Sequence, residues 1–154
     1  MFRKHPAKFR QDVMGQHAVF AVDGGGTVGG FGYDELYPDA SALSLADIRS
    51  SLEATGQKFD IVGFDACLMG TIETAYALEP CADYLLASEE LEPGQGWSWT
   101  GFLSALEANP AAPSVDIGMQ AIDDFIDHYA SQGETDVTLS LVDLREVPSV
   151  YENL

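Results

Sequence analysis

Two short segments combine chemically useful residues with a position directly after an apolar run. The first covers residues 23–30, where Asp23 is followed by Gly24 and a glycine-rich loop. The second covers residues 64–69 and contains Cys67. Because ligands collect at the carboxyl ends of strands in parallel α/β sheets, both segments are candidate functional sites.

Cys67 is a candidate nucleophile. Cysteine attacks a carbonyl carbon as the thiolate, and a thiol with an ordinary pKa of about 8.5 is only a few per cent ionised at pH 7. Apolar spacing predicts a helix over residues 68–78, whose N-terminal N–H groups would favour the thiolate. The alternative role is a buried small hydrophobic residue, which is the commonest role of a free cysteine. Cys81 follows Pro80, lacks such a setting, and is interpreted as structural.

Asp65 precedes Cys67 by two residues, a spacing that places both side chains on the same side of a strand. Its charge would not help to ionise the thiol, because like charges oppose each other. The carboxylate would instead pair with a cationic side chain of a substrate, or be a solvated or helix-capping aspartate. The residues alone leave both roles open.

The glycine loop is also compatible with two kinds of phosphate site. A G-x-G-x-x-G pattern begins at Gly24, but residues 31–34 do not predict the helix that a dinucleotide-binding loop requires. The stretch AVDGGGT (residues 21–27) is similar to the phosphate loop of actin-fold sugar kinases. That loop should lead into the second strand of a hairpin, whereas three glycines make residues 28–33 a poor strand.

Hydrophobic patterning predicts strands that alternate with helices. The predicted strands cover residues 17–22, 60–65, 84–88 and 137–143, and the predicted helices cover residues 44–55, 68–78, 99–108 and 115–131, with another beginning at 149. Ser44 and Ser114 are the predicted N-caps, and Gly56 and Gly133 the predicted stops. This alternation predicts an α/β fold with a mainly parallel sheet, which would bring the glycine loop and Cys67 to one edge.

Composition limits the function classes. The chain has 154 residues, with 25 acidic and 7 basic side chains and a formal net charge of −18. This charge opposes binding to nucleic acid and would attract cationic ligands, although a high charge most often serves solubility. No run of about 18 apolar residues could span a membrane. Two cysteines make neither a disulfide framework nor a zinc motif, so no metal ligand is predicted.

Four pieces of the chain, in this order, resemble the clostripain family of caspase-like cysteine peptidases. They are GGGTVGGFGYDE (residues 24–35), FDACLMGTIETAYAL (64–78), YLLASEELEPGQGWSW (84–99) and VTLSLVDL (137–144). The FDACLM piece is the most specific. Neither a dinucleotide-binding protein nor a sugar kinase accounts for the last three pieces.

The resemblance implies a three-layer α/β/α caspase-like fold and an endopeptidase that hydrolyses peptide bonds after Arg or Lys. Cys67 matches the family's nucleophile, and Gly24 matches the glycine whose N–H helps to bind the oxyanion. Asp65 matches an acid that lines the pocket for the basic side chain. A second wall of that pocket is expected from the loop that contains Glu92 and Gln95.

One position departs from the family pattern, since Asp23 stands where the family has histidine. An imidazole takes the thiol proton and later returns it to the leaving amine, whereas an aspartate with an ordinary pKa of about 3.9 holds no proton at neutral pH. His17 opens the same strand, roughly 20 Å away at about 3.3 Å per residue, and His128 is predicted at the rim of a helix. We therefore expect a weak or inactive peptidase, or a homologue that only binds basic peptides.

The predicted organisation is a poorly ordered lead-in over residues 1–17 and a clostripain-like core over residues 18–154, truncated at both ends. The basic start of the chain lacks the apolar segment of a signal peptide, although the resemblance suggests secretion. The expected partners are peptides or proteins with basic residues, and neither nucleic acid nor a membrane. No cofactor is predicted from the residues, while the family resemblance allows calcium.

Overall fold

The computed structural model describes residues 19–23, 26–27, 30–32 and 42–153, and for residues 19–23 it describes the backbone. The predicted lead-in over residues 1–17 and the predicted oxyanion glycine, Gly24, lie outside these ranges. So do His5 and His17.

Short strands and helices alternate along the described chain. In chain order they are β1 (Val19–Asp23), β2 (Gly26–Thr27), β3 (Gly30–Phe31), β4 (Leu43–Ser44), α1 (Leu45–Glu53), β5 (Phe59–Asp65), α2 (Ile72–Leu78), β6 (Ala82–Ala87), α3 (Trp99–Ala108), α4 (Ser114–Ser131), β7 (Ser140–Asp143), a 3-10 turn (Leu144–Glu146) and α5 (Val147–Tyr151). None of the described helices is both long enough and apolar enough to cross a membrane.

The main sheet has the strand order β1-β5-β6-β7 in the described part of the chain. β1 and β6 each run parallel to β5, and β7 runs antiparallel to β6. The mainly parallel sheet is therefore confirmed. β1 and β5 are neighbours in a register that pairs Asp23 with Asp65, so both strands end at the same edge.

A second sheet joins β2, β3 and β4 in antiparallel pairs. The prediction that residues 28–33 make a poor strand is therefore wrong in part, because Gly30 and Phe31 pair with Thr27 and Gly26. Glycine is favoured at Gly30 by space, since an added Cβ would overlap the Leu43 carbonyl oxygen of β4.

The helices cover both faces of the main sheet, as the α/β/α prediction requires. On one face, Val62, Phe64 and Leu85 pack with α1, α2 and α5. On the other face, Ile61 and Leu86 pack with α3 and α4. Neighbouring residues of β5 and β6 enter opposite cores, since successive strand side chains point to opposite faces.

Helix ends follow their capping chemistry in some cases and not in others. Ser44 caps α1. Its hydroxyl accepts the Asp47 backbone N–H at 3.2 Å, and the Asp47 carboxylate accepts the Ser44 backbone N–H at 3.1 Å. Gly56, with φ of +68°, follows α1 as predicted. The prediction for Ser114 is wrong: Pro113 is the N-cap of α4, and the Ser114 hydroxyl donates to Asp60 of β5 at 3.3 Å.

The predicted helix over residues 68–78 is wrong in its first turn, because α2 begins only at Ile72 with Thr71 as its N-cap. The N–H groups of Leu68 and Gly70 donate instead to Glu90 O at 3.0 Å and Ser88 O at 2.7 Å in the segment after β6. Leu68 also has φ of +60°, which no α-helix contains. Residues 66–71 therefore form a loop that is bonded to the neighbouring strand's extension.

Candidate active site

Cys67 lies in this loop, two residues after β5 ends. The next residue, Leu68, adopts the left-handed conformation that costs a bulky side chain about 1–3 kcal/mol. Such strain persists only where surrounding bonds hold it, and here the Leu68 N–H donates to the Glu90 carbonyl. The turn therefore presents Cys67 at the strand-end edge in a conformation that the adjoining segment imposes.

The sulfur of Cys67 is contacted by Glu92. The Glu92 backbone N–H donates to Sγ at 3.2 Å, and the Glu92 carbonyl oxygen lies 3.7 Å from Sγ. An N–H donor stabilises negative charge on sulfur. The expected source of that stabilisation was the start of a helix directly after Cys67, and this expectation is wrong because α2 begins five residues later. A single loop N–H takes its place in the structure.

The glycine loop packs against the cysteine loop. An added Cβ at Gly26 would overlap the Cys67 carbonyl oxygen and lie 2.9 Å from Met69 Cγ and 3.1 Å from Ala66 Cβ. Only glycine fits this approach. The two segments selected from the sequence are therefore in contact at one edge of the sheet, as the parallel pairing of β1 with β5 requires.

Asp65 is buried, with 4% of its surface exposed. Both carboxylate oxygens accept the Trp97 backbone N–H at 3.0 Å, and Oδ2 also accepts the Trp99 indole N–H at 3.2 Å. Gly96, with φ of +69°, brings its backbone so close that a Cβ there would lie 2.8 Å from the carboxylate oxygens. Asp65 and Cys67 therefore contact the same loop, residues 89–98, through different atoms.

Glu92 places its carboxyl group beside Asp65. The pKa of Glu92 is raised to about 8, chiefly by burial and also by the Asp65 carboxylate, while the Trp97 indole N–H, 3.4 Å from Oε1, opposes the shift. The other oxygen, Oε2, is buried and has no hydrogen-bond partner in the described part of the chain. At neutral pH the Glu92 carboxyl group therefore carries a proton.

Tyr129 of α4 holds the same loop from the opposite side. Its hydroxyl donates to the Gly96 carbonyl at 2.8 Å, while its ring is 1% exposed. Burial raises the pKa of Tyr129, and the nearby Asp65, Glu134 and Glu92 add to this. The phenol therefore stays protonated and remains a hydrogen-bond donor.

A cleft of about 470 Å³ adjoins the loop. Glu92, Glu134 and Asp136 are among its lining residues, and no basic residue lines it. Gln95 is exposed in the turn that the Gly96 N–H closes onto the Pro93 carbonyl at 3.0 Å. The roles of Asp65, Glu92 and Gln95 in substrate binding stay predictions.

Comparison with known proteins gives the family. The family model described as the clostripain family matches residues 8–154, nearly the whole chain. The chain belongs to the clostripain family. It is 27% identical over 137 residues to a clostripain from Hathewaya histolytica, an alignment that covers 73% of this chain and 26% of that protein. Membership rules out the dinucleotide-binding and sugar-kinase interpretations of the glycine loop.

Solved structures agree on the fold of this clostripain-family chain. A cysteine protease from B. fragilis superposes with a TM-score of 0.62 at 24% identity, covering 76% of this chain and 48% of that one. An inactive zymogen of a C11 protease from Parabacteroides distasonis gives 0.65 at 24%, covering 87% and 36%. A clostripain from Bacteroides thetaiotaomicron in complex with a peptide inhibitor gives 0.60 at 22%. The chain thus spans less than half the length of these relatives.

In its described ranges this clostripain-family chain has one histidine and no metal-binding cluster. His128, the one histidine of the described ranges, lies on α4 with its ring 2.9 Å from Gln132 Nε2 and beside the Tyr129 ring. Its place beside the apolar face agrees with the prediction. Among the described residues, no group of three or more His, Cys, Asp or Glu side chains could hold a metal ion.

Several residues of this clostripain-family site were missed from sequence. Trp97, Trp99 and Tyr129 hold the loop against Asp65, and Ser88 anchors its start. The Tyr129 bond to Gly96 was not predicted, although a buried phenol usually finds a hydrogen-bond partner. Cys81, by contrast, is 2% exposed in the core, as predicted.

Glu92 should make the stability of the fold depend on pH. The folded chain keeps the Glu92 proton up to about pH 8, whereas an ordinary glutamate loses it near about pH 4.3. The folded state therefore binds more protons between these values, and the contribution of Glu92 to the free energy of unfolding falls as pH rises through this range. Glu92→Gln keeps the neutral form, so its stability advantage over the parent should grow from pH 5 to pH 8.

The measurement is urea unfolding of both proteins at pH 5, 6, 7 and 8. Glu90→Gln changes an exposed side chain two residues away and is the matched control, which should follow the parent. A constant difference between Glu92→Gln and the parent across this range would show that Glu92 is ionised throughout.

Proposed function

We propose that this chain is the nucleophile-bearing part of a cysteine endopeptidase that hydrolyses peptide bonds after Arg or Lys, and that Asp23 makes it a weak one. The observation that carries the proposal is the contact between the glycine loop and the Cys67 turn at the shared edge of β1 and β5. Family membership supports the reaction class.

The proposed reaction has two steps. Cys67 Sγ attacks the carbonyl carbon of the scissile bond, so that a C–S bond forms, the C–N bond breaks and the amine leaves with the proton that the thiol lost. Water then hydrolyses the thioester, releases the acid and returns the thiol. The Glu92 N–H, 3.2 Å from Sγ, stabilises the thiolate before attack. By family resemblance, the N–H of Gly24 is proposed to bind the oxyanion that forms during the attack.

A preference for basic side chains is supported by the charge around the loop. Asp65 and Glu92 lie together beneath it, and Glu134 and Asp136 line the adjoining cleft. The described cations are engaged elsewhere, because Arg49, Lys58 and Arg145 form ion pairs with Glu53, Asp83 and Asp143. A guanidinium or ammonium group from a substrate would therefore enter a site that is lined by acidic and not by basic side chains among the described residues.

Weak activity follows from the residue at position 23. β1 pairs Asp23 with Asp65, which puts position 23 at the edge where Cys67 lies. A carboxylate there opposes the thiolate and has no proton to give to the leaving amine. This substitution favours a second function, in which the chain binds basic peptides without cleaving them.

An active-site label separates the two functions. An arginyl chloromethylketone alkylates a thiolate that its side chain has been positioned to meet, and we expect it to modify Cys67 at least about tenfold faster than the aspartyl analogue does. Peptide mapping by mass spectrometry would follow Cys67, with the buried Cys81 as the internal control. Binding of an arginyl peptide without labelling would support the binding homologue, and equal rates for the two reagents would refute the basic preference.

The proposed partners are peptides and proteins with basic residues, and the proposal includes neither a nucleic acid nor a membrane. Two of the similar structures are of secreted proteases from Bacteroides thetaiotaomicron, and we extend secretion to this chain as part of the proposal. The proposed chemistry uses no cofactor.

A further inference from the structure

Ser88 lies at the junction of three segments near Cys67. It follows β6 directly, its surface is fully buried, and its hydroxyl lies 2.9 Å from the Thr138 hydroxyl in the segment before β7. The same hydroxyl donates to the Glu90 carbonyl at 3.2 Å and accepts the Glu90 N–H at 3.1 Å. The Ser88 carbonyl accepts the Gly70 N–H at 2.7 Å.

We propose that Ser88 and Thr138 are positioning residues for Cys67, acting through the segment 90–92. Neither residue contacts the sulfur. Their hydroxyl pair fixes the backbone of Glu90, and two residues later the Glu92 N–H meets Sγ at 3.2 Å. The inference rests on the proposed role of Cys67 as nucleophile, but not on turnover by this chain.

The hydrogen-bond inventory of the serine explains why both hydroxyls are needed. A hydroxyl has one proton to donate, and Ser88 directs it to the Glu90 carbonyl while accepting the Glu90 N–H. In this arrangement the Thr138 hydroxyl, 2.9 Å from Ser88 Oγ, is the donor in the pair. Loss of the Ser88 hydroxyl removes the partner of the Glu90 N–H, and loss of the Thr138 hydroxyl removes the bond that joins Ser88 to the segment before β7. In either case the segment 90–92 is held by fewer hydrogen bonds.

The same segment also maintains the strained turn. The Glu90 carbonyl that Ser88 holds is the acceptor of the Leu68 N–H, and Leu68 has φ of +60°. The turn on one side of Cys67 and the N–H donor to its sulfur therefore depend on a single anchored residue, Glu90. A shift of this residue would alter both together.

The test is the rate at which iodoacetamide alkylates Cys67 between pH 6 and pH 9, followed by peptide mapping of the full chain. Ser88→Ala and Thr138→Val should each slow alkylation at pH 7 by about fivefold, as expected for the loss of one hydrogen bond to the thiolate. Thr138→Ser keeps the hydroxyl and should restore the parent profile. Thr74→Val removes another buried threonine hydroxyl, which is bonded to Thr71, and is the matched control.

Whether the alkylation of Cys67 becomes slower or faster distinguishes a positioning role from a merely structural one. A merely structural role would expose the partly buried thiol and speed its alkylation, whereas loss of the donor slows it. Faster alkylation in Thr138→Val, or profiles identical to the parent in folded variants, would overturn the proposal. If Ser88→Ala fails to fold, the comparison of Thr138→Val with Thr138→Ser is sufficient for the test. If the parent does not cleave peptides but the variants are still alkylated more slowly than the parent, this inference holds while the peptidase proposal fails.

Discussion

Replacing Asp23 with histidine is expected to raise kcat/KM for an arginine-linked fluorogenic peptide by about 10²–10⁴-fold, the usual contribution of a positioned general acid–base. Position 23 ends β1 in register with Asp65 of β5, and the glycine loop that follows it contacts the Cys67 turn. An imidazole there can take the thiol proton and return it to the leaving amine. The gain should disappear when Cys67→Ala is added.

Asp23→Asn is the matched control for this gain. It removes the negative charge that opposes the thiolate but supplies no base, so it should give a much smaller increase than Asp23→His does. If Asp23→His shows no increase while its thiol still reacts with iodoacetamide, then the absence of histidine is not what limits this chain.

Gly70→Ala is expected to lower the stability of the fold strongly. A Cβ there would lie 2.8–2.9 Å from Ser88 C, Ser88 O and Glu89 N, all of them backbone atoms that cannot rotate away. It would separate the cysteine loop from the segment after β6 and break the Gly70 N–H bond to Ser88. Overpacking of this kind costs about 1–3 kcal/mol or more of the free energy of unfolding.

Gly94→Ala provides the comparison, since an added Cβ at Gly94 meets nothing within 4 Å. Its free energy of unfolding should stay within about 0.5 kcal/mol of the parent's in urea titrations. Equal losses for the two variants would mean that the close approach at Gly70 is not tight in solution.

Many of the strands and helices could be predicted because buried positions recur at a regular spacing in the sequence. The strand before Cys67 and the helix α3 were placed to within about a residue, since apolar runs with clear glycine, proline or capping boundaries decide such elements. The parallel pairing of β1 with β5, and hence the meeting of the two loops, followed from the α/β alternation.

The start of α2 was missed for a reason that hydrophobic spacing cannot detect. Leu68 falls in phase with Ile72 and Tyr76, yet Ile72 and Tyr76 are 38% and 50% exposed, and the buried face consists of Thr74, Ala75 and Leu78. What decides the boundary is where the backbone N–H groups of residues 68 and 70 find acceptors. Those acceptors lie some 20 residues away in sequence, so no local pattern reveals them.

The sequence was sufficient to select residues of the candidate site, but it did not reveal the contacts between them. Family resemblance selected Asp65 and Glu92, but not the indole and amide donors that enclose the Asp65 carboxylate from 32 and 34 residues away. Likewise, no short-range signal joins Ser88 to Thr138, which are 50 positions apart. Long-range polar contacts depend on the completed fold, whereas residue types can be compared one position at a time.

The enclosure of Asp65 gives the molecule a built-in optical reporter. The chain has two tryptophans, Trp97 and Trp99, whose rings lie 5.5 Å apart. The Trp99 indole donates to Asp65, and the Trp97 indole donates to the neighbouring Glu92 carboxyl group. Indole emission responds to nearby charge and to water. The intrinsic fluorescence of this chain should therefore change when a ligand binds at this loop or when its carboxyl groups gain or lose a proton, without any dye and without any reaction taking place.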